Sequence, residues 1–201
     1  MSKQVLLSDD EVVAAAVRMG KDWKTSLPTV SAQDPDDLLR AVARGTRSLY
    51  MRGMLTGPGN TDLAPEISAL LSPAAGTLPE HLGYAATSAE PHVAAGLRFA
   101  IFESTNGNKV LIITLANGIN EISEVPRGRA REFVAAFAGA PLREGADENA
   151  AVLLAPIGAD AATFAVVTAR GTRTGTLSIA SPDFTSGQPT DTLPTTLIPQ
   201  A

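Results

Sequence analysis

The sequence predicts an α+β fold, an antiparallel meander of strands with helices packed on it. Three observations carry this. Ser8-Asp9-Asp10-Glu11 and Asp34-Pro35-Asp36-Asp37 are strong helix starts, and apolar residues recur behind both at helical spacing. Asn106-Gly107 and Asn117-Gly118 lie one strand length apart between runs rich in Val, Ile and Leu, the mark of two consecutive tight hairpins. A chain of 201 residues that is 44% apolar has enough oily surface for one core and at most a small appendage.

The elements follow in order. Ser8 to Glu11 has the form of a capping box, its acids suit the positive end of a helix, and Gly20 is a natural stop, which predicts a helix over 9–19. Residues 23–33 read as a loop, broken by Pro28. Asp34 as cap and Pro35 at the first helical position predict a helix over 35–52, with Leu38, Leu39, Val42, Leu49 and Tyr50 near helical spacing. After a Gly/Pro turn at 53–60, Asp62 to Glu66 starts a short helix that stops before Pro73. An edge strand is expected near 82–87. Residues 97–104, 109–115 and 119–125 form the meander, with Ile119 and Val125 on one face of the last strand and Ile122 on the other.

Residues 127–138 are amphipathic, with Ala130, Phe133, Val134 and Phe137 facing inward, and Gly139 and Pro141 end that helix. A polar linker is expected at 144–149. The apolar run 151–157 is too short to separate strand from helix. Residues 163–169 and 174–180 read as a hairpin turning at Arg170 to Arg173. The expected organisation is one domain, 1–180, and a Pro/Thr-rich tail, 181–201, that is mobile or extended. The expected core includes Leu39, Val42, Leu49, Ile67, Leu70, Phe99, Ile101, Ile113, Phe133 and Phe137.

Composition narrows the function. No cysteine means no disulfide and no thiolate metal site, and two histidines remove most metalloenzyme layouts. No run approaches the roughly 20 apolar residues of a membrane helix. A net charge of −5 repels a polyphosphate at long range, so nucleic acid is not the expected partner. Residues 1–7 do not have the form of a signal peptide, and a cytoplasmic location is expected. Arg outnumbers Lys 12 to 4 and Ala occurs 33 times, a usage that fits a GC-rich genome.

Candidate chemistry is sparse. His81 and His92 have no Asp or Glu at helical ligand spacing, so loop or surface histidines explain them better than a metal site. Neither a Gly-x-Ser-x-Gly elbow nor a Ser-x-x-Lys pair is present, and no phosphate-binding glycine pattern follows a strand. Helix capping accounts for the acids at 9–11 and 36–37. What remains is surface. Arg40, Arg44 and Arg47 share one helix face, either as a solvated flank or as an acid-binding surface for a partner. The hairpin tip Thr105, Asn106 and Asn108 is the first candidate for partner contact. The outer edges of a three-stranded meander need a partner or protection, which Lys109, Glu121 and Glu124 offer in part.

Residues 34–142 also carry a wider pattern. It runs from the acidic cap and amphipathic helix through Arg-Ser-Leu-Tyr-Met-Arg-Gly-Met-Leu at 47–55, Leu63-Ala64-Pro65-Glu66-Ile67 and Leu70-Leu71-Ser72-Pro73, to the meander and a helix ending in Gly139-Ala140-Pro141. This resembles the EspG family, the cytoplasmic chaperones of actinobacterial type VII (ESX) secretion. The opening at 9–20 also looks like that family's first helix. The resemblance implies a non-catalytic adaptor, with no cofactor, that binds the apolar tip of helical secretion substrates through an apolar groove with a polar rim. Family members are longer and hold two modules related by a pseudo-two-fold axis. One module and the strands at 151–180 are legible here, which implies a homodimer in which two chains replace two modules. The alternatives are a winged-helix-like nucleic-acid binder using Arg40, Arg44, Arg47 and Arg52, or a small enzyme around His81 or His92.

Overall fold

Ser8 begins the first helix as its sequence demands. Its hydroxyl accepts from the Glu11 N–H at 3.3 Å, and the Glu11 carboxylate accepts from the Ser8 N–H at 2.8 Å. Both donors are orphans of a helix start, and the reciprocal bonds satisfy them. The computed structural model describes residues 4–31, 33–141, 148–157, 160–178, 181 and 183–200. It is α+β with antiparallel strands. Its chain forms two compact units, residues 1–78 with 102–124 and residues 79–101 with 125–201.

In the first unit, β1 (Gln4–Ser8) leads directly into α1 (Asp9–Arg18). Asp34 caps α2 (Pro35–Met51), accepting from the Asp36 and Asp37 N–H groups. A two-stranded ribbon of β2 (Leu55–Thr56) and β3 (Asp62–Leu63) precedes α3 (Pro65–Leu71), so the short helix starts at the proline and the residues before it pair as strand. β5 (Arg98–Glu103), β6 (Lys109–Thr114) and β7 (Ile119–Val125) come after β4 (His81–Thr87) in the chain, and the sheet here runs β1, β7, β6 and the end of β5.

The sequence did not announce β1. It pairs antiparallel with β7, from Gln4 opposite Ser123 to Ser8 opposite Ile119. Val5 and Leu7 are buried and Leu6 is exposed, the period of two that a half-covered strand requires. The outer edge of β7 is thus closed by pairing. Lys109 and Glu124, expected as edge charges, act otherwise: Lys109 is buried on β6 and pairs with Glu103, and Glu124 accepts from the hairpin tip. Both hairpin turns also differ from the tightest form. Gly107 and Gly118 have φ of 83° and 76°, and neither Asn106 nor Asn117 has positive φ. Gly107 N–H bonds Ser104 O and Gly118 N–H bonds Leu115 O, giving three-residue loops with glycine in the left-handed position.

In the second unit the sheet order is β5, β4 (His81–Thr87), β8 (Asn149–Ile157), β9 (Ala161–Thr168), β10 (Gly171–Ser178) and β11 (Gln188–Thr190). β4 is not an edge strand: it pairs with residues 98–101 of β5 on one side and with β8 on the other. The ambiguous run 151–157 is strand. The hairpin turns at Ala169-Arg170, since Gly171 already pairs with Thr168, two residues earlier than expected. Most of the expected 144–149 linker lies outside the described residues, and Asn149 already belongs to β8. α4 (Arg127–Ala138) buries Ala130, Val134 and Ala138, and its Phe133 and Phe137 meet Phe99 edge-on with ring centroids 5.2 and 5.0 Å apart. Gly83 leaves room for that ring: a Cβ there would sit 2.3 Å from Phe99.

Two further expectations are corrected. Leu39 is exposed, because Leu38 and Leu49 take the inward side of α2 and the next residue lies about 100° round the helix. Val42, Ile113, Phe133 and Phe137 are half-buried, whereas Leu49, Ile67, Leu70, Phe99 and Ile101 are in the core as expected. The C-terminal stretch is not wholly a free tail. β11 pairs with β10, Phe184 packs edge-on against Phe164 at 5.3 Å, and Leu197 is buried.

Candidate functional site

The first unit builds its site where α1 and α2 cross. Gly45 allows the crossing: a Cβ there would lie 2.0 Å from the Asp10 carbonyl oxygen, so the two backbones touch. Charged residues lock it. Arg44 grips Asp10 with two bonds, Nε to Oδ2 at 2.7 Å and Nη2 to Oδ1 at 2.8 Å. Glu11, almost wholly buried, accepts from Ser48 Oγ at 2.6 Å and from Arg52 Nη1 at 2.7 and 2.8 Å. Arg52 also donates to Leu6 O at 2.9 Å, capping an edge carbonyl of β1. Burial pushes the Glu11 carboxyl up, but the bonds from Ser48, Ser8 and Arg52 with the arginine's charge outweigh it and hold the group below its ordinary value.

Asp9 does more than favour a helix dipole. It is fully buried, and its Oδ2 accepts from Thr29 N and Thr29 Oγ1, both at 2.8 Å. Its Oδ1 accepts from Asn120 Nδ2 at 2.8 Å, and Asn120 Oδ1 accepts from Thr114 Oγ1 at 2.7 Å. This buried chain of bonds ties the loop after α1 to the start of that helix and to β7. Asp37 Oδ2 ties the same loop to α2 through Ser31 N–H at 2.8 Å.

The tied loop walls a cleft of about 540 Å³. Its floor is apolar: Val13, Ala16 and Val17 of α1, Leu27 and Val30 of the loop, and Leu38 of α2. Lys21, Asp22, Ser26, Ser31 and Gln33 line it as the polar share, and Trp23, the single tryptophan of the sequence, stands in its wall. The Trp23 Nε1–H is buried and has no hydrogen-bond partner among the described residues. Sequence reasoning treated 23–33 only as a connection. The missed signal was three large apolar residues, Trp23, Leu27 and Val30, in a segment too short and too broken to be a helix.

The sequence-predicted contacts fall in different places. Asn106 and Asn108 both donate to Glu124 Oε1, the latter at 3.2 Å, and Thr105 is exposed beside them, so the hairpin tip is polar and braced by the neighbouring strand β7. Arg40, Arg44 and Arg47 do lie on α2, but Arg44 is spent on Asp10 and Arg52 on Glu11. Arg40 and Arg47 remain exposed, with no ion pair among the described residues. In the second unit, His81 Nε2 lies 3.2 Å from Thr196 O, and His92 stands at a small cavity of about 160 Å³ lined otherwise by Leu82, Tyr84, Leu154, Pro156, Ala162, Leu177 and Phe184. Burial pushes the Tyr84 phenol up to about 12. Among the described residues, no three His, Asp or Glu side chains gather to hold a metal ion, and no helix is long and apolar enough to cross a membrane. No protein-family model and no curated protein matches the chain.

Proposed function

We propose that this chain is a non-catalytic binding protein, an EspG-like chaperone or adaptor that works in the cytoplasm on type VII secretion substrates. The carrying observation is the cleft beside α1, with an apolar floor, a polar rim and walls held by the Asp9 and Asp37 bonds. Such a cleft suits the apolar tip of a helical client. Burying oily side chains drives association, and a loop already tied down loses little freedom when the client arrives. In this reading two copies replace the two modules of the longer family, and light scattering at high micromolar concentration reads the dimer directly.

Trp23 is a built-in reporter for the test. Titration with purified helical secretion-type substrates is expected to shift its emission with saturation. Val17 lines the cleft and is 50% exposed, so Val17→Glu is expected to fold normally and to bind at least about tenfold more weakly. The reading fails if such substrates leave the emission unchanged, or if the variant binds them as the parent does.

A further inference from the structure

α2 carries a second surface, on residues other than those of the cleft. Leu39, Ala43 and Tyr50 fall on one flank of the helix, with Met51 beyond them. Leu39 is 68% exposed, Tyr50 55% and Met51 77%, high values for large apolar groups. Arg40 and Arg47 lie one helical step round from this stripe, in solvent. The other arginine of that face is neutralised by Asp10, so the positive charge here is concentrated on the two residues that border the apolar stripe. Tyrosine, methionine and arginine are the side chains most favoured at recognition surfaces.

We propose that this flank of α2 docks an acidic amphipathic helix of a partner protein. The partner's apolar residues, at i, i+4 and i+11, would lie along Leu39, Ala43 and Tyr50, with Ala43 as the shallow point that lets the two helices approach. Its Asp or Glu residues would pair with Arg40 and Arg47. Charge decides against a second copy as occupant. Two α2 flanks pressed together would bring four arginines into one patch against only one exposed acid of that flank from each copy, Asp36, and such like-charge crowding disfavours the pairing. An acidic partner instead brings carboxylates to the two arginines, and the chain's own net charge of −5 makes this basic stripe locally distinctive.

The test uses the full chain and two designed helical peptides with identical leucine stripes, one flanked by glutamate and one by lysine. The glutamate peptide is expected to bind at least about tenfold more tightly, and its affinity to fall as salt rises. The double variant R40E/R47E is expected to reverse the preference. Leu39→Ser with Tyr50→Ser is expected to weaken both peptides without changing the circular dichroism, since both side chains face solvent. Equal binding of the two peptides, or no binding of either, overturns the proposal. So does a dimer in light scattering that disappears in the Tyr50→Ser variant, which gives the flank to a second copy. None of these outcomes touches the cleft, which Val17→Glu tests separately.

Discussion

Glu11 decides how the first unit responds to acid. Its folded value is depressed, because three donors and the Arg52 charge outweigh burial. A depressed carboxyl contributes stability that is fully present above the ordinary carboxylate range and is lost as pH falls through the folded value. Glu11→Gln keeps the shape and removes the charge. At neutral pH it is expected to cost about 1–3 kcal/mol, and the gap to the parent is expected to close as pH falls below the carboxylate range. Urea midpoints across pH check this, and a gap that stays constant would mean that Glu11 packs and does not pair. Gly45 poses a different question of sign. Alanine is better than glycine in a helix by about 1 kcal/mol, yet its Cβ would lie 2.0 Å from the Asp10 carbonyl oxygen. The backbone there has no free end to yield, so the clash wins: Gly45→Ala is expected to destabilise by about 3 kcal/mol or more, read as a lower melting temperature. Nothing around Gly45 in the sequence shows this, because the contact is with a residue 35 positions earlier.

The elements that were legible are those whose cause is local. Caps at Ser8 and Asp34, Pro35 at the first turn, and glycine after asparagine in both hairpins each act within four residues, and each appears where it was read. What was not legible depends on partners distant in the chain. Val5-Leu6-Leu7 is a continuous apolar run without alternation, and only pairing with β7 makes it a strand. β4 reads as an edge until β8, more than 60 residues later, takes its free side. The cleft was illegible for another reason: its walls come from α1, a loop and the start of α2, all between Val13 and Leu38, but Trp23, Leu27 and Val30 in that loop follow neither helix nor strand spacing. The buried Asp9 is the part that unites them. Asp9→Ala removes the acceptor for Thr29 N–H, Thr29 Oγ1 and Asn120 Nδ2, leaving Asn120 Nδ2 only its longer bond to Leu7 O, at a cost of about 1–3 kcal/mol. Hydrogen exchange is expected to rise across 21–31 and to stay unchanged in α4 and β8. Equal loss of protection everywhere would show that Asp9 supports the whole unit and not the loop in particular.

At the scale of the molecule, the second unit ends on residues the sequence presents as dispensable. Proline and threonine dominate 182–201, and composition of that kind favours an extended chain. Three attachments outweigh it. β11 extends the sheet on β10, Phe184 packs on Phe164, and Leu197 is buried near β8 and β9. The fit around Phe164 is close: a Cβ on Gly175 or on Gly187 would lie 2.9 Å from its ring, so a glycine from the C-terminal stretch is part of the packing. Burying one large apolar side chain stabilises by about 1.5–3 kcal/mol, enough for Phe184 and Leu197 together to outweigh much of the cost of ordering a short segment. Deleting 183–201 is therefore expected to lower the melting temperature markedly and to expose β10 as a bare edge prone to self-association. Because a truncated chain can fail for reasons other than these contacts, Leu197→Ala supplies the second reading. It leaves the chain length intact and is expected to cost about 2–5 kcal/mol. A truncated protein that melts with the parent, together with a silent Leu197→Ala, would return the stretch to the free tail that its composition suggests.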